Sequence, residues 1–285
     1  MATTHDSYVS SRPIGDAVVT AINEGTVLWA PELTAPEEEW RAAMPEVDAE
    51  GRIPADHHAF HIRLGEASVL IDAGLDDPGS AWSERWLAEW PGARRTPGLQ
   101  AGLAGIGIRP EDVTHVIITH AHYDHVLGLT VERTGQQEPR FPNARVLIGR
   151  GEWSTEEQEV EPAIALRLQT IERSGLLELV EGDREVAPGL WMLHAPGESP
   201  GHSIVRLVSA DARFYALGDL FHHACEIAHP DWRVPWAEPE TIRASRERFM
   251  REAAETQATV AFAHEPFPPW GRIVRAKGGY RWQRG

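Results

Sequence analysis

One short segment near the middle of the chain concentrates four candidate metal ligands. It reads Thr-His-Ala-His-Tyr-Asp-His at 119–125 and directly follows the run 113–118, which predicts a short buried strand. Imidazole and carboxylate groups at this place would lose their hydration without an obvious partner if they only packed against a core. Metal binding explains them better, so the fold must open the end of this strand onto a site that other ligands can reach.

Three further candidate ligands lie at the ends of predicted strands or in a rigid loop. His202 closes the Pro- and Gly-rich segment 195–202, Asp219 follows the run 214–218, and His264 follows the run 260–263. We expect all seven side chains to converge at one sheet edge and to divide into two sets that share a bridging carboxylate. The first set is His120, His122 and His202, the second is Asp124, His125 and His264, and Asp219 is the bridge.

The donor types predict two divalent metal ions. Imidazoles and carboxylates without thiolates suit Zn²⁺ first, with Mn²⁺, Co²⁺ or Fe²⁺ as alternatives. The single cysteine, Cys225, can form neither an internal disulfide nor a thiolate site. Two cations about 3.5–4 Å apart can share a hydroxide whose parent water has a pKa of about 7. Such a site would supply a nucleophile at neutral pH without Ser or Cys.

Composition and charge narrow the class of partner. The chain has 285 residues and a formal net charge of −16, which disfavours binding to nucleic acid or to an anionic membrane surface. No apolar run of about 18 residues could span a bilayer, and the N-terminus does not resemble a signal peptide. We expect a cytoplasmic protein that acts on a small molecule with an apolar portion, and the Pro-rich residues 31–56 permit a homodimer. A few of the tryptophans in predicted loops near the site are expected to line an apolar substrate cleft, and the candidates are Trp29, Trp153, Trp232, Trp236 and Trp270.

The pattern of predicted elements favours a single domain over residues 1–285. Two series of short strands, each followed by helices, run along the chain without a Gly- or Ser-rich linker, which predicts a sandwiched pair of sheets. Residues 1–56 would form a covering extension. Within it we expect residues 1–16 to be irregular and the runs 17–22 and 26–30 to pair as a hairpin.

The segment His-Ala-His-Tyr-Asp-His at 120–125 resembles the HxHxDH signature of the metallo-β-lactamase superfamily. Pro-Gly-His at 200–202, Gly-Asp at 218–219 and Ala-His at 263–264 follow in that superfamily's order, so the resemblance covers roughly residues 57–275. It implies an α+β fold, a four-layer αββα sandwich with two metals at one edge. Within the superfamily the chain is most similar to binuclear N-acyl homoserine lactone lactonases and to methyl parathion hydrolase-like enzymes, which segment 263–272 resembles.

Two positions depart from the lactonase pattern. Glu198 stands where the lactonases usually carry His, and His222 stands where they place a Tyr that assists ring opening. His57 is expected to be structural, and Asp72 is expected to orient a metal-bound His by a hydrogen bond.

The resemblance and the ligand set together imply a hydrolase in which a metal-bridging hydroxide attacks an ester-like carbonyl, with a lactone the favoured substrate. Asp124 or His222 would handle the proton. A phosphotriester hydrolase on the same site and a di-iron redox protein of the same fold are the alternatives. A binding module with a structural metal is disfavoured, because structural sites are usually closed and mononuclear.

Overall fold

A computed structural model describes residues 7–153 and 161–285. The first half contains the strands β1 (Val9–Ile14), β2 (Ala17–Trp29), β3 (Ile53–Leu64), β4 (Ala67–Ile71), β5 (Arg94–Arg95), β6 (His115–Ile118), β7 (Thr130–Arg133), β8 (Gln136–Pro139), β9 (Arg145–Gly149) and β10 (Leu177–Val180). The second half contains β11 (Arg184–Ala187), β12 (Leu190–His194), β13 (Ser203–Ser209), β14 (Ala212–Ala216), β15 (Thr259–Ala261), β16 (Gly271–Ala276) and β17 (Gly279–Arg284). The helices are α1 (Glu37–Ala43), α2 (Ala81–Glu89), α3 (Gly98–Gly105), α4 (Tyr123–Val126), α5 (Pro162–Arg173), α6 (Cys225–Ala228) and α7 (Pro239–Thr256).

The strands form two large mixed sheets. The first has the order β1-β2-β3-β4-β6-β9-β10, with β5 beside β2, and the second runs from β11 to β17 in chain order. A small third sheet pairs β7 with β8. Strands β4, β6, β9 and β10 run parallel to one another, and β14 runs parallel to β15. Parallel neighbours end at the same sheet edge, which is where ligands that follow several strands can meet.

Successive side chains along each strand point to opposite faces of the sheet and so belong to different apolar layers. In β6, Ile117 faces the apolar layer shared with the second sheet, whereas Val116 and Ile118 face the layer that contains Leu103 of α3 and Leu168 of α5. In the second sheet, Val205 and Leu207 face the shared layer, and Ile204 faces the layer that contains Phe249 of α7. The order is therefore helix, sheet, sheet, helix, which confirms the predicted αββα sandwich.

The N-terminal region differs from its prediction. Residues 9–14 are not irregular but form β1, and residues 17–29 are one strand paired along its length with β3 rather than a hairpin. A bulge between Asn23 and Gly25, where Asn23 Oδ1 accepts the Gly25 N–H at 2.8 Å, accommodates the polar residues that interrupt the apolar pattern. Residues 9–29 of the predicted covering extension thus belong to the first sheet, and residues 1–6 lie outside the described part of the chain.

Segment 30–52, with α1, lies outside the two sheets. Its apolar residues Leu33, Trp40 and Met44 pack in one cluster with Ile53 and Cys225. Because one apolar layer joins residues of both sheets, we infer that the chain forms a single domain. No helix in the described ranges has the length and apolarity needed to cross a membrane.

Main-chain hydrogen bonds join the two sheets at the edge where the ligand segments emerge. The Ser203 N–H donates to the Thr119 carbonyl at 2.8 Å, and the Ala263 N–H donates to the Gly218 carbonyl at 3.3 Å. The His58 N–H, from β3 of the first sheet, donates to the Ala263 carbonyl at 3.1 Å. These bonds hold the segments that follow β6, β14 and β15 side by side.

Glu24 lies in the bulge of β2 and supports the loop after β4. Its side chain is buried, Oε1 accepts the Leu75 N–H at 3.2 Å, and Oε2 is 4.0 Å from Arg95 Nη2. Burial raises the pKa of Glu24 to about 8, although the Arg95 guanidinium opposes that shift. The carboxyl group is therefore protonated in the folded protein under mildly acidic conditions.

The raised pKa of Glu24 predicts a specific pH dependence of stability. Between its ordinary pKa of 4.5 and about 8 the folded chain keeps a proton that the unfolded chain has released. This contribution to stability is complete below 4.5 and falls by about 1.4 kcal/mol per pH unit as the pH rises through that window. We expect the unfolding free energy of the native protein, measured in urea relative to Glu24→Gln, to fall from about pH 5 to about pH 8; a constant difference would contradict this.

Candidate metal centre

Asp72 organises the segment that carries the first four candidate ligands. It follows β4 in the left-handed backbone region (φ 58°), and its carboxylate accepts the Thr119 N–H at 2.8 Å. Its Oδ2 atom accepts a hydrogen bond from His125 Nδ1 at 2.9 Å. The predicted hydrogen bond from Asp72 to a candidate ligand is thus present, at His125. Short helix α4 then carries Asp124 and His125 on consecutive residues.

Other candidate imidazoles are oriented in the same way. His264 Nδ1 donates to the Asp56 carbonyl at 2.8 Å, and His202 Nδ1 donates to the Ala195 carbonyl at 3.0 Å. A ring that donates through Nδ1 keeps the lone pair of Nε2 for another partner. In His125 and His264 this Nε2 atom points to Asp219, at 3.4 and 3.2 Å from Oδ1.

The structure brings the candidate ligand atoms into three overlapping groups, each with its atoms within 4.8 Å of one another. They are His120, His122, Glu198 and Asp219; His125, Asp219 and His264; and His57, Asp124 and His264. Six of the seven predicted ligands therefore converge, with Asp219 shared between two groups. Glu198 and His57 join them, although neither was predicted as a ligand.

His202 is the predicted ligand that falls outside these groups. It is buried beside His120, with ring centroids 5.2 Å apart, but its Nε2 atom accepts the Asp219 N–H at 3.1 Å. Both of its ring nitrogens thus have main-chain partners. Its role as a ligand stays a prediction.

His57 lies on β3 and was expected to be structural. Its side chain faces the site, with Nε2 3.6 Å from Asp124 Oδ2 and the ring centroid 5.1 Å from that of His264. The next residue, His58, faces away and meets the Glu265 carbonyl at 2.7 Å. Alternation along a strand predicts that these two neighbours point to opposite faces, but it does not tell which face carries the site.

Buried polar atoms without partners test whether a metal fits here. Within residues 7–153 and 161–285, no hydrogen bond reaches His125 Nε2, Asp219 Oδ1 or Glu198 Oε2, although all three atoms are buried. An unpaired buried acceptor costs about 1–3 kcal/mol, and more for a charged group. Cations between these lone pairs would remove that cost, so the donor set fits divalent metal ions.

Charge coupling explains the protonation of the site. Burial works against the ionised form of Asp219, but His264 and His125 outweigh it and hold the pKa of that carboxyl well below its usual value. Burial likewise opposes the charged form of His264, yet the Asp219 carboxylate raises the pKa of His264 to about 9. His120 differs, because burial and the neighbouring His125 hold its pKa well below the usual value. A divalent cation would displace the proton that His264 carries and would itself neutralise the charge of the carboxylates.

The predicted catalytic residues Asp124 and His222 both line a cavity of about 490 Å³ above the ligands. His222 Nε2 is 3.3 Å from Asp219 Oδ2, and its ring lies parallel to that of His264 with centroids 5.9 Å apart. Burial lowers the pKa of His222, but Asp219 outweighs burial and raises it above the usual value. The Glu226 carboxylate accepts the His222 N–H at 3.1 Å and is itself paired with buried Arg246, which fixes this turn.

Large apolar side chains also line this cavity, namely Trp29, Trp90, Ile164 and Trp236. Of the five candidate tryptophans, a few of which were expected to line the cleft, Trp29 and Trp236 line the cavity. The other three pack elsewhere: Trp153 and Trp270 in the apolar layers and Trp232 beside the α1 cluster. Trp90 also lines the cavity, although it was not among the candidate tryptophans.

Asp72 provides a test of metal binding that leaves every candidate ligand in place. Asp72→Asn removes the charge that orients His125 and keeps nearly the same shape. Loss of a carboxylate partner to a ligating His typically costs 10–100-fold in metal affinity, and we expect that range here. Competition with a chelating dye measures it, and Asp77→Asn, whose carboxylate meets Arg140 at 2.9 Å, is the matched control. Equal affinities of the Asp72 variant and the native protein would contradict the assignment.

Comparison with known proteins agrees with this geometry. The model of the metallo-beta-lactamase superfamily matches residues 52–264. An N-acyl homoserine lactonase from Bacillus cereus is 29% identical over 216 residues, 72% of this chain and 80% of that protein. The N-acyl homoserine lactonase AttM from Azorhizobium caulinodans is 25% identical over 241 residues, 78% of this chain and 86% of that protein.

Solved structures share the fold at low identity. The hydrolase AbOPH, of the beta lactamase superfamily, superposes with a TM-score of 0.81 at 20% identity over 99% of both chains. AidC, a dizinc quorum-quenching lactonase, gives 0.79 at 21% over 97% of both chains. With the family model matching most of the chain, the resemblance seen in the sequence is confirmed, and this protein belongs to the metallo-β-lactamase superfamily.

Proposed function

We propose that this protein is a binuclear metal-dependent hydrolase that opens lactones. The observation that carries the proposal is the position of Asp219. Its Oδ2 atom is 3.5 Å from His120 Nε2, and its Oδ1 atom is 3.4 Å from His125 Nε2, so one carboxylate faces a member of each predicted ligand set. A carboxylate with one oxygen toward each set is the arrangement that a bridging ligand requires.

The ligand sets are those predicted from the sequence. His120, His122 and His202 would hold one ion, Asp124, His125 and His264 would hold the other, and Asp219 would contact both. When bound, two such cations lower the pKa of a water between them to about 7 and polarise a substrate carbonyl. Zinc is the metal we favour, because imidazole and carboxylate donors suit it and AidC is a dizinc enzyme.

Asp124 and His222 are the residues we assign to proton transfer. Asp124 lies at the cavity wall with Oδ2 3.5 Å from His264 Nε2 and can accept a proton from the attacking water. His222 Nε2 lies 3.3 Å from Asp219 Oδ2, the same oxygen that faces His120, and His222 can donate a proton to the leaving alkoxide. Its ring packs at a tilt of 37° against Trp29, with centroids 5.4 Å apart, and this contact helps to hold it in the cavity lining.

The cavity supports a substrate with two chemically different ends. Its lining combines imidazoles and carboxylates with large apolar side chains such as Trp29, Trp90 and Ile164, so a polar ester group and an apolar chain can be bound together. The relatives named N-acyl homoserine lactonases support an acylated lactone as that substrate. A phosphotriester is the second candidate, favoured by segment 263–272 of the sequence.

Steady-state kinetics on metal-loaded protein tests the proposal. We expect kcat/KM to be higher for an N-acyl homoserine lactone than for an aryl phosphotriester, and to fall at least about 100-fold in Asp124→Asn and in His264→Ala. His229→Gln is the control, because that exposed ring stacks on Trp232.

Preference for the phosphotriester would favour the second candidate. Two iron ions with redox activity would instead indicate the di-iron alternative, and undiminished turnover in both site variants would reject metal-assisted hydrolysis.

His222 gives a separate test of the proton step. His222→Phe keeps an aromatic ring beside Trp29 but cannot donate a proton. We expect kcat for lactone opening to fall about 100-fold with KM changed much less, and His222→Tyr to recover part of kcat because its hydroxyl can donate. A change in KM alone would assign His222 to substrate binding instead.

A further inference from the structure

Glu198 lies in the tight loop 195–202 between β12 and β13. The preceding residue, Gly197, has a φ of 130°, and a Cβ atom there would meet the Ile242 backbone at 2.3 Å, so the loop packs directly against α7. Glu152 ties the loop to the ligand segment: it accepts the Gly201 N–H at 2.7 Å through one oxygen and the Ala121 N–H at 2.8 Å through the other. The Glu198 side chain is thereby held against His120 and His122 with no solvent exposure.

The two carboxylate oxygens of Glu198 have different surroundings. Oε1 accepts the Trp236 Nε1–H at 2.8 Å and is 3.4 Å from His122 Nδ1. Oε2 is 3.7 Å from His120 Nε2 and makes no hydrogen bond to any residue that the structure describes. In that same part of the chain, the basic groups within 4 Å of this carboxylate are His120 and His122, with no Lys or Arg.

A buried carboxylate with a free oxygen and no strong cation beside it is costly. The nearest side-chain atoms of His120, His122 and Asp219 lie within 4.8 Å of it and are themselves lone-pair donors. One divalent cation among these four donors would satisfy all of them. His202, the third predicted ligand of this ion, would have to release the Asp219 N–H that its Nε2 atom accepts before it could coordinate.

We propose that Glu198 is a ligand to the ion held by His120 and His122, an inference that rests on the proposed binuclear function. The carboxylate adds an oxygen donor and a negative charge to an otherwise imidazole-rich set. It therefore shifts the preference of this ion site from Zn²⁺ toward the harder Mn²⁺, compared with the His that the lactonases usually carry here. Trp236 is the positioning residue, because its indole N–H orients the carboxylate.

Metal binding to chelator-stripped protein tests this role without relying on turnover. Co²⁺ is titrated while the visible absorption is recorded, and the two dissociation constants are obtained by competition with a chelating dye. We expect Glu198→Gln to weaken one of the two constants at least tenfold, to leave the other within threefold, and to change the Co²⁺ spectrum. Glu265→Gln is the matched control: Glu265 is buried and accepts the Trp282 Nε1–H at 2.9 Å, but it belongs to none of the three ligand groups.

Each outcome has a separate meaning. If the native protein binds two ions and Glu198→Gln keeps both constants and the native spectrum, Glu198 is a wall residue and the inference is overturned. If the native protein binds fewer than two ions, the proposed binuclear function itself fails. Should Glu198→Gln not fold, Trp236→Phe replaces a largely exposed indole by a smaller ring that lacks the orienting N–H: weaker binding of one ion supports the inference, and unchanged binding overturns it.

Discussion

Burial of ionisable side chains is the constraint on which this site depends. His120, His125, His202 and Asp219 are almost completely removed from water, yet all can carry charge or strong hydrogen bonds. Groups in that position must be paired or neutralised. In the protein alone, protons on imidazoles such as His264 balance the carboxylates, whereas divalent cations would do so directly and free the imidazole lone pairs. Such cations would also give partners to His125 Nε2 and Asp219 Oδ1, two buried atoms that have no hydrogen bond within the described residues.

The sandwich makes such burial possible by fixing each ligand segment at both ends. Parallel strands β4 and β6 end together, so Asp72 lies beside Thr119 and His125. The Ser203–Thr119 hydrogen bond then joins the second sheet to the same edge. Glu152 adds a further connection, since its carboxylate bridges the main chain of Ala121 and Gly201. The candidate ligands therefore meet on a hydrogen-bonded frame rather than on independent loops.

The aromatic wall comes from elements far apart in the chain. Trp29 ends β2, Trp90 follows α2, and Trp236 precedes α7. Because β2 is an inner strand of the first sheet, the N-terminal region contributes directly to the cavity. The predicted extension is thus partly a structural strand and partly a wall of the site. Trp236 connects this wall to the ligands through its hydrogen bond to Glu198.

The sequence alone determined the chemistry of the site and the order of its parts. The motif at 120–125 is local, and Asp219 and His264 each follow an apolar run, so a sandwiched pair of sheets and the convergence of these side chains could be predicted from short-range pattern, whereas the αββα fold followed from the resemblance to the superfamily. Only the tertiary structure decided which atoms meet. His57 and His58 alternate on β3, and Glu198 lies in a Pro- and Gly-rich loop; nothing in their neighbours tells that His57 and Glu198 face the ligands. Likewise, the bulge at Asn23 joins two runs that resembled a hairpin into one strand. Contacts between residues distant in the chain depend on strand register and on packing between layers, which local sequence does not contain.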